Sequence, residues 1–386
     1  MSRLLRVAPA LLLALPLAVS SPAAAERPDL TVTVVADGLD IPWDLDFLPD
    51  RSMLITERDT KRLLLRTPGG SVRTIFTSPS NMWAGTETGL MSVEVAKDFS
   101  TTRAFITCHG YSKGGTQDVR VVRWRLNKAG TGASYIRTLV SGLPSTSGRH
   151  GGCALTMGSR NQLYIGTGDA AQGRNPQNLT SGGGKVLRVD ATSGRPVKTN
   201  PFIRSSNRMK QKVFTYGHRN VQGLARRSDG TIWSVEQGSY RDDEVNKLVK
   251  KGNYGWNPVA RGAGGDPATY NEGVDSPMTD RSLPGAQRPA RWRSGDQTFA
   301  TSGGTFVNGS AWGDWKGSLA VASLKDTSLR LLRFSRGGSL RETWKPVALD
   351  GTYGRLRGAV QGPDGALYLT TSNGSNDKIL RVVARP

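Results

Sequence analysis

The apolar positions of this chain fall into short runs rather than helical stripes. One run recurs six times, as SMLITER (from Ser52), RAFITC (from Arg103), QLYIGTGD (from Gln162), TIWSVEQG (from Thr231), SLAVASLK (from Ser318) and ALYLTTSN (from Ala366). Each is followed by a second strand-like run: RLLLR (from Arg62), VRVVRW (from Val119), KVLRV (from Lys185), EVNKLV (from Glu244), SLRLLRF (from Ser328) and KILRVV (from Lys378). Turn chemistry precedes four of the openings, in LPDR, SDGT, WKGS and PDGA. β-branched and aromatic runs spaced by Gly, Asp and Asn turns predict an all-β protein. Six similar units predict a six-bladed β-propeller, one blade per unit. A β-sandwich would use about 100 residues and leave most of the chain idle, and a solenoid would repeat more evenly. Two long inserts, residues 170–184 and 251–317, are expected on one face, where a site would lie.

The ends and the composition refine this picture. MSRLLRV, the apolar run APALLLALPLAV and the small residues SPAAA form a tripartite secretory leader over residues 1–25, which leaves 26–386 as the propeller domain. The apolar run is shorter than a spanning helix needs, and no later run is longer, so the expected product is exported, without a membrane span. An even count of two cysteines, Cys108 and Cys153, favours a disulfide in that compartment over two buried thiols. The net charge is +21, yet the arginines are scattered along the repeated strands rather than gathered in a stripe. That pattern argues against a nucleic-acid partner and for loose electrostatic association with an acidic cell surface. Gly is abundant, at 47 of 386 residues, without a collagen-like period, which fits many tight turns.

Several familiar chemistries are excluded by motif. GTGDAAQG from Gly166 lacks the spacing and the following helix of a dinucleotide site. SGGGKV lacks the first Gly and the hydroxyl residue of a phosphate loop. Three histidines and no HExxH leave no His-rich metal centre, and GxSxG is absent. What remains is a set of polar phrases at strand ends: GRHGG with His150, YIGTGD with Asp169, YGHRNVQGLA with Arg219 and Asn220, and EQGSYRDDEVNKLVKKGNYGWNP. On a propeller these ends can converge on the central axis, where a carboxylate can orient a histidine base and an arginine can stabilise developing negative charge.

These phrases carry a resemblance. From GLDIPWDLDFLPD to the C-terminus the chain resembles the soluble quinoprotein sugar dehydrogenases, the glucose/sorbosone dehydrogenase family, and YGHRNVQGLA and EQGSYRDDEVNKLVKKGNYGWNP are its most specific phrases. The resemblance implies a six-bladed propeller that binds pyrroloquinoline quinone (PQQ) and Ca²⁺ and oxidises the C1 hydroxyl of an aldose to a lactone, passing electrons to an external acceptor. It implies His150 as the base, Asp169 as the carboxylate that holds it, and Arg219 and Asn220 beside the quinone. The carbonyls of Gly238 and Ser239 match the ligands of the cofactor's Ca²⁺, although the family often has Pro where Ser239 stands. Glu244 and the Tyr254 carbonyl match a second, structural Ca²⁺ site. Lys325, Arg355 and Arg357 match the basic residues that meet the quinone carboxylates, and Thr298 matches a cofactor-contacting threonine. Asp242 and Asp243 read as loop acids, and His109 and His218 as structural.

One departure stands out. Where the family has GQNGLL or GQGGLL, with a glutamine against the cofactor, this chain reads GTETGLM and places Glu87 there. A carboxylate beside an anionic quinone costs energy unless it is protonated or compensated. Glu87 and the high charge therefore favour an alternative, a propeller without turnover that binds an anionic glycan or wall polymer, whereas His150, Asp169, Arg219 and Lys325 favour the enzyme. A propeller hydrolase with a channel Ca²⁺ would need more side-chain ligands than the sequence offers.

Overall fold

The computed structural model describes residues 25–77, 79–259, 269–273 and 276–385, so all but the last residue of the expected leader lies outside the described residues. Six antiparallel sheets carry the fold. Blade one runs outward from the axis as Pro42–Phe47, Met53–Glu57, Arg62–Arg66 and Val72–Thr77. Blades three, four and five repeat that order, beginning at Gly152–Met157, Val221–Arg226 and Thr301–Phe306. In blade two the innermost strand is split into Met82–Trp83 and Leu90–Val95, both paired to Ala104–Lys113. Blade six, from Leu356–Gln361, takes its outer strand from the other end of the chain: Asp29–Leu39 pairs with Asp377–Arg385, with Asp29 opposite Arg385 and Leu39 opposite Asp377. The innermost strands of successive blades touch in a ring that closes from blade six to blade one. The all-β, six-bladed expectation holds.

Two details differ from the sequence reading. The recurring run pairs are the second and third strands of each blade, as in Met53–Glu57 with Arg62–Arg66, and not the first and second. Residues 251–317 are not one insert, because Trp292–Arg293 is the outer strand of blade four and Thr301–Phe306 the inner strand of blade five. The inner strands of blades four and five escape a propensity reading because glycines stand where the next blade comes close. A β-carbon on Gly223 would stand 2.6 Å from the Ser302 carbonyl, and one on Gly303 2.6 Å from that of Arg357. Glycine is what lets neighbouring blades meet at the axis.

The core lies between blades, where large side chains interleave. Trp233 of blade four, fully buried, packs at 5.7 Å against Phe306 and 4.7 Å against Phe334 of blade five. Each such buried side chain contributes on the order of 1.5–3 kcal/mol. One disulfide, Cys108–Cys153, joins the second strand of blade two to the inner strand of blade three, with Cα atoms 5.7 Å apart.

Around the axis the blades are also stitched by carboxylates. Asp44 accepts the Val93 N–H at 3.3 Å, Asp46 the Val95 N–H at 2.6 Å, and Glu94 the Met157 N–H at 2.9 Å, each reaching to the next blade. These strands enclose a channel cavity of about 200 Å³. Burial among six strands pushes the Asp44 carboxyl up to about 7, with Asp46 nearby adding to the shift. An acid raised in the folded state holds a proton there that the unfolded chain has released, so its contribution to stability falls as pH rises from about 4 to 7. The melting temperature of Asp44→Asn relative to wild type is therefore expected to climb across that window and flatten above it. A difference that stays constant from pH 4 to 8 would contradict the assignment.

Topology decides where a site can form. Along each blade the first strand runs from one face of the propeller to the other and the second returns. The links from second to third strand, and from outer strand to the next blade, therefore share one face. His150, Arg219, Asn220, Thr298 and Arg355 lie on blade-to-blade links, Glu87 lies between the two halves of blade two's split inner strand, and Arg357 lies at the start of an inner strand. Asp169, Gly238, Ser239 and Lys325 lie on links from second to third strands, and Glu244 opens a third strand. The long segment after blade four's third strand climbs back to the same face, since Asn253 bridges Tyr216 in parallel and the Trp256 N–H meets the Gly217 carbonyl.

Candidate active site

His150 sits on the link into blade three with a left-handed backbone (φ 52°), between Gly148 and Gly152, which are also left-handed. A non-glycine residue held there stores strain and persists only where its surroundings over-determine it. Those surroundings are visible. Thr88 Oγ1 donates to the Gly148 carbonyl at 2.9 Å, Gly152 N–H donates to Asn220 Oδ1 at 3.1 Å, and Cys153, three residues on, is tied to blade two. A β-carbon on Gly168 would collide with the His150 carbonyl, so the Asp169 strand end can lie against this loop only as glycine.

The His150 ring is buried, and its Nδ1 lies 2.8 Å from Asp169 Oδ1. Asp169 is fully buried with every oxygen in use. Oδ1 also accepts the Ala171 N–H at 2.8 Å, while Oδ2 accepts the Trp256 indole N–H at 2.7 Å and the Tyr270 hydroxyl at 2.9 Å. Burial alone would raise this carboxyl, but the charge and hydrogen bond of His150, then Arg219 and the Trp256 indole, outweigh it and hold Asp169 below the usual carboxylate range. Whenever the ring is neutral, the ionised Asp169 fixes Nδ1 as the donor and leaves the lone pair on Nε2, which lies 4.0 Å from Glu272 Oε2. Burial first, then the Asp169 charge, push the Tyr270 phenol up, so it serves as a hydrogen-bond donor.

Arg219 is linked to the Nε2 side of the His150 ring through Glu272. Its Nη1 donates to the Gln237 carbonyl at 3.1 Å and its Nη2 to Glu272 Oε2 at 2.6 Å, while its guanidinium lies 5.7 Å over the Trp256 ring. Glu272 also pairs with Arg149, and its Oε2 lies 4.0 Å from His150 Nε2. Asn220 continues the network: its amide donates to Glu87 Oε2 at 2.9 Å, and its Oδ1 accepts from Gln222 Nε2 at 3.0 Å. Gln222 Oε1 in turn accepts from Arg357 Nη1 at 3.1 Å, and Arg357 lies 3.5 Å over the Trp43 ring. Burial, then the neighbouring Arg58, push Arg357 down to about 9, with Glu87 opposing. Glu87 is thus answered by an amide and by a nearby guanidinium.

His150, Asp169, Arg219, Asn220, Glu87 and Arg357 therefore stand in one continuous network. No side-chain hydrogen bond joins Thr298, Lys325 or Arg355 to it among the described residues. The Lys325 N–H bonds the Phe299 carbonyl beside Thr298, and Arg355 Nε bonds the Ser372 carbonyl, with Lys325 and Arg355 exposed. Gly238 and Ser239 occupy a tight link braced by Asp243, which is fully buried. Its carboxylate takes the N–H groups of Gly238 (2.8 Å), Phe299 (2.6 Å) and Thr301 (3.2 Å). Glu244 and Tyr254 come close behind this link: Thr279 Oγ1 reaches Glu244 Oε1 at 3.3 Å, and Asp280 N–H, next along the chain, holds the Gly255 carbonyl. His218 is enclosed between Glu236 (2.6 Å) and Thr215 (2.8 Å) and stacks on Tyr254 at 4.6 Å, and His109 bonds Thr107, so both have internal partners.

The sequence reading missed Trp256, Tyr270, Glu272, Gln222 and Trp43. Trp256 lies inside the GNYGWNP phrase and was within reach. Tyr270 and Glu272 stand in a segment without strand patterning, where no signal distinguishes them.

The chain is similar to several known proteins. An aldose sugar dehydrogenase of Escherichia coli, YliI, is 29% identical over 361 residues, 92% of this chain and 93% of that protein. Quinoprotein glucose dehydrogenase B of Acinetobacter calcoaceticus is 31% identical over 274 residues, 64% of this chain and 56% of that one. The PQQ-bound form of an aldose sugar dehydrogenase from Streptomyces coelicolor superposes with a TM-score of 0.73 at 26% identity, covering 94% of this chain and all of that one. The model of the family described as glucose/sorbosone dehydrogenase matches residues 39–381, nearly the whole propeller, and the chain belongs to that family.

Proposed function

We propose that this protein is an exported, quinone- and calcium-dependent dehydrogenase that oxidises the C1 hydroxyl of an aldose to the lactone, with His150 as general base. The observation that carries this reading is the buried His150–Asp169 pair, locked from behind by Trp256 and Tyr270, which leaves the second imidazole nitrogen beside Glu272 and its partner Arg219.

The donor set suits a cofactor with three carboxylates. Arg219 Nε and Arg357 Nε are both buried without a hydrogen-bond partner, an uncommon state for a guanidinium and one that an anionic ligand would relieve. Lys325, Arg355 and Thr298 would complete the cradle, with Asn220 and Glu87 along its edge. Calcium takes oxygen ligands, and among the described residues the Gly238 and Ser239 carbonyls accept no hydrogen bond. No cluster of three or more His, Cys, Asp or Glu ligands exists among the described residues, so carbonyls and the cofactor's own oxygens would do most of the holding. Glu244 and the Tyr254 carbonyl would hold a second ion. Bound there, PQQ supplies two-electron oxidising power that side chains lack, and calcium supplies Lewis acidity.

The chain's own part is proton handling and orientation. His150 Nε2 takes the proton of the C1 hydroxyl, and the imidazolium that results faces ionised Asp169, which stabilises it. Trp256 and Tyr270 keep Asp169 from rotating, so the imidazole stays aligned. Arg219 offers positive charge where negative charge develops. Electrons leave to an external acceptor. Among the described residues no helix is long and apolar enough to cross a membrane; the charge of +21 favours loose attraction to an anionic cell surface.

An aldose deuterated at C1 tests the reacting bond. Turnover severalfold slower than with the protonated sugar, with the lactone as the product by NMR, is expected. Full-speed turnover, or oxidation at another carbon, would overturn the C1 assignment.

A further inference from the structure

A second cavity, of about 270 Å³, opens on the side of blade two, between its strands and the link arriving from blade one. Its walls are aromatic. Tyr111, Trp124 and Tyr135 come from three successive strands, and Trp124 and Tyr135 meet edge to face at 6.2 Å and 85°. Tyr135 is 60% exposed, a large ring left in water on an outer strand. It is nonetheless held in place, because its hydroxyl accepts the Thr138 N–H at 2.8 Å.

The polar groups between these rings are neutral or already paired. Trp124 donates its indole N–H to Thr107 Oγ1 at 2.8 Å, and the same hydroxyl forms a hydrogen bond with His109 Nδ1 at 2.9 Å. His109 also lines the cavity, with a ring nitrogen besides the one bonded to Thr107. Burial, then Arg120, push His109 down to about 3, which keeps the ring neutral. Arg120 spends its charge on Asp118 (2.7 Å) and lies 3.3 Å over the Tyr111 ring, and Asn81 adds an amide that both donates and accepts.

A ligand for this cavity needs flat C–H faces to lie against aromatic rings and a rim of uncharged hydroxyls to meet Asn81, His109 and Arg120. An anion would find one guanidinium already paired, and a hydrocarbon would strand the polar half of the wall. We infer that this cavity is a second carbohydrate subsite, which holds a pyranose unit on Tyr135 and Trp124 away from His150. The inference shares with the proposed function only the sugar class of ligand. The segment that lines the cavity, residues 79–82, continues through the first half of blade two's split inner strand to Glu87, so a glycan resting there lies beside the chain segment that leads into the candidate active site.

The test uses the full chain loaded with PQQ and calcium, and methyl glycosides of common pyranoses, whose blocked C1 cannot be oxidised. Binding is followed by tryptophan fluorescence and by saturation-transfer NMR. Saturable binding is expected in the wild type and in His150→Ala, weakened at least about tenfold in Tyr135→Ala. Because Tyr135 is exposed, that variant is expected to fold and to oxidise free monosaccharides at the wild-type rate. No saturable binding by any glycoside, or equal binding in Tyr135→Ala, would overturn the subsite. Loss of binding in His150→Ala alone would place the glycoside at the candidate active site and overturn it equally. Failure of the protein to oxidise free aldoses while Tyr135-dependent binding persists would count against the proposed dehydrogenase and not against the subsite.

Discussion

His150→Ala is expected to leave the propeller folded and to lower aldose turnover by about 10²–10⁴-fold, the range associated with removing a positioned general base. The ring is buried, but it sits on a link rather than in a blade. Its loss opens no gap in the hydrophobic clusters between blades, so circular dichroism and the melting transition should change little. The same variant should still bind the quinone, since Arg219 and Arg357 supply the charged contacts. Asp169→Asn removes the anion behind the imidazole and turns one of two accepting oxygens into a donor, which the Trp256, Tyr270, Ala171 and His150 contacts cannot all accommodate, and turnover is expected to fall substantially there too. Wild-type turnover in His150→Ala would remove the histidine from the mechanism.

Replacing both Cys108 and Cys153 with serine carries the largest expected effect on stability. The bond closes a loop with a sequence separation of 45 residues, and in the chain-entropy model a loop of that size is worth about 4 kcal/mol. Both sulfurs are fully buried in the core between blades two and three, so the serine hydroxyls would also need partners that core does not offer. The denaturant midpoint of the double variant should drop well below that of the oxidised wild type. Activity should suffer as well, because Cys153 anchors the strand that begins just after His150. Two free thiols in the unfolded, unreduced wild type, or an unchanged midpoint in the variant, would refute this role.

Much of the fold could be read from the chain because the middle strands of each blade are buried on both faces. LLL in Arg62–Arg66 and LAVAS in Leu319–Ser323 announce themselves by β propensity. The inner strands do not: TSGGTF is Gly-rich because neighbouring backbones leave no room for side chains. Nor does Asp29–Leu39, whose alternation is largely solvent-facing and whose partner lies at the far end of the chain. The site divides along the same line. His150, Asp169, Arg219 and Asn220 sit in strand-end phrases whose chemistry is conspicuous against turn residues. Tyr270 and Glu272 belong to a long excursion, and only three-dimensional closure brings them to His150 and Arg219. Glu87, an outlier in sequence, becomes intelligible once Asn220 is seen to donate to it and Arg357 is seen nearby.

Reconstitution tests the central claim most directly. The purified protein, stripped with a chelator, would be assayed for dye-linked oxidation of a panel of aldoses with PQQ and calcium together and with each left out. Turnover that requires both, with saturable quinone binding, is the expected result, and the rates across the panel would begin to name the sugar. An absence of turnover with every aldose, together with an absence of quinone binding, would contradict the dehydrogenase and leave a propeller that binds glycans without oxidising them.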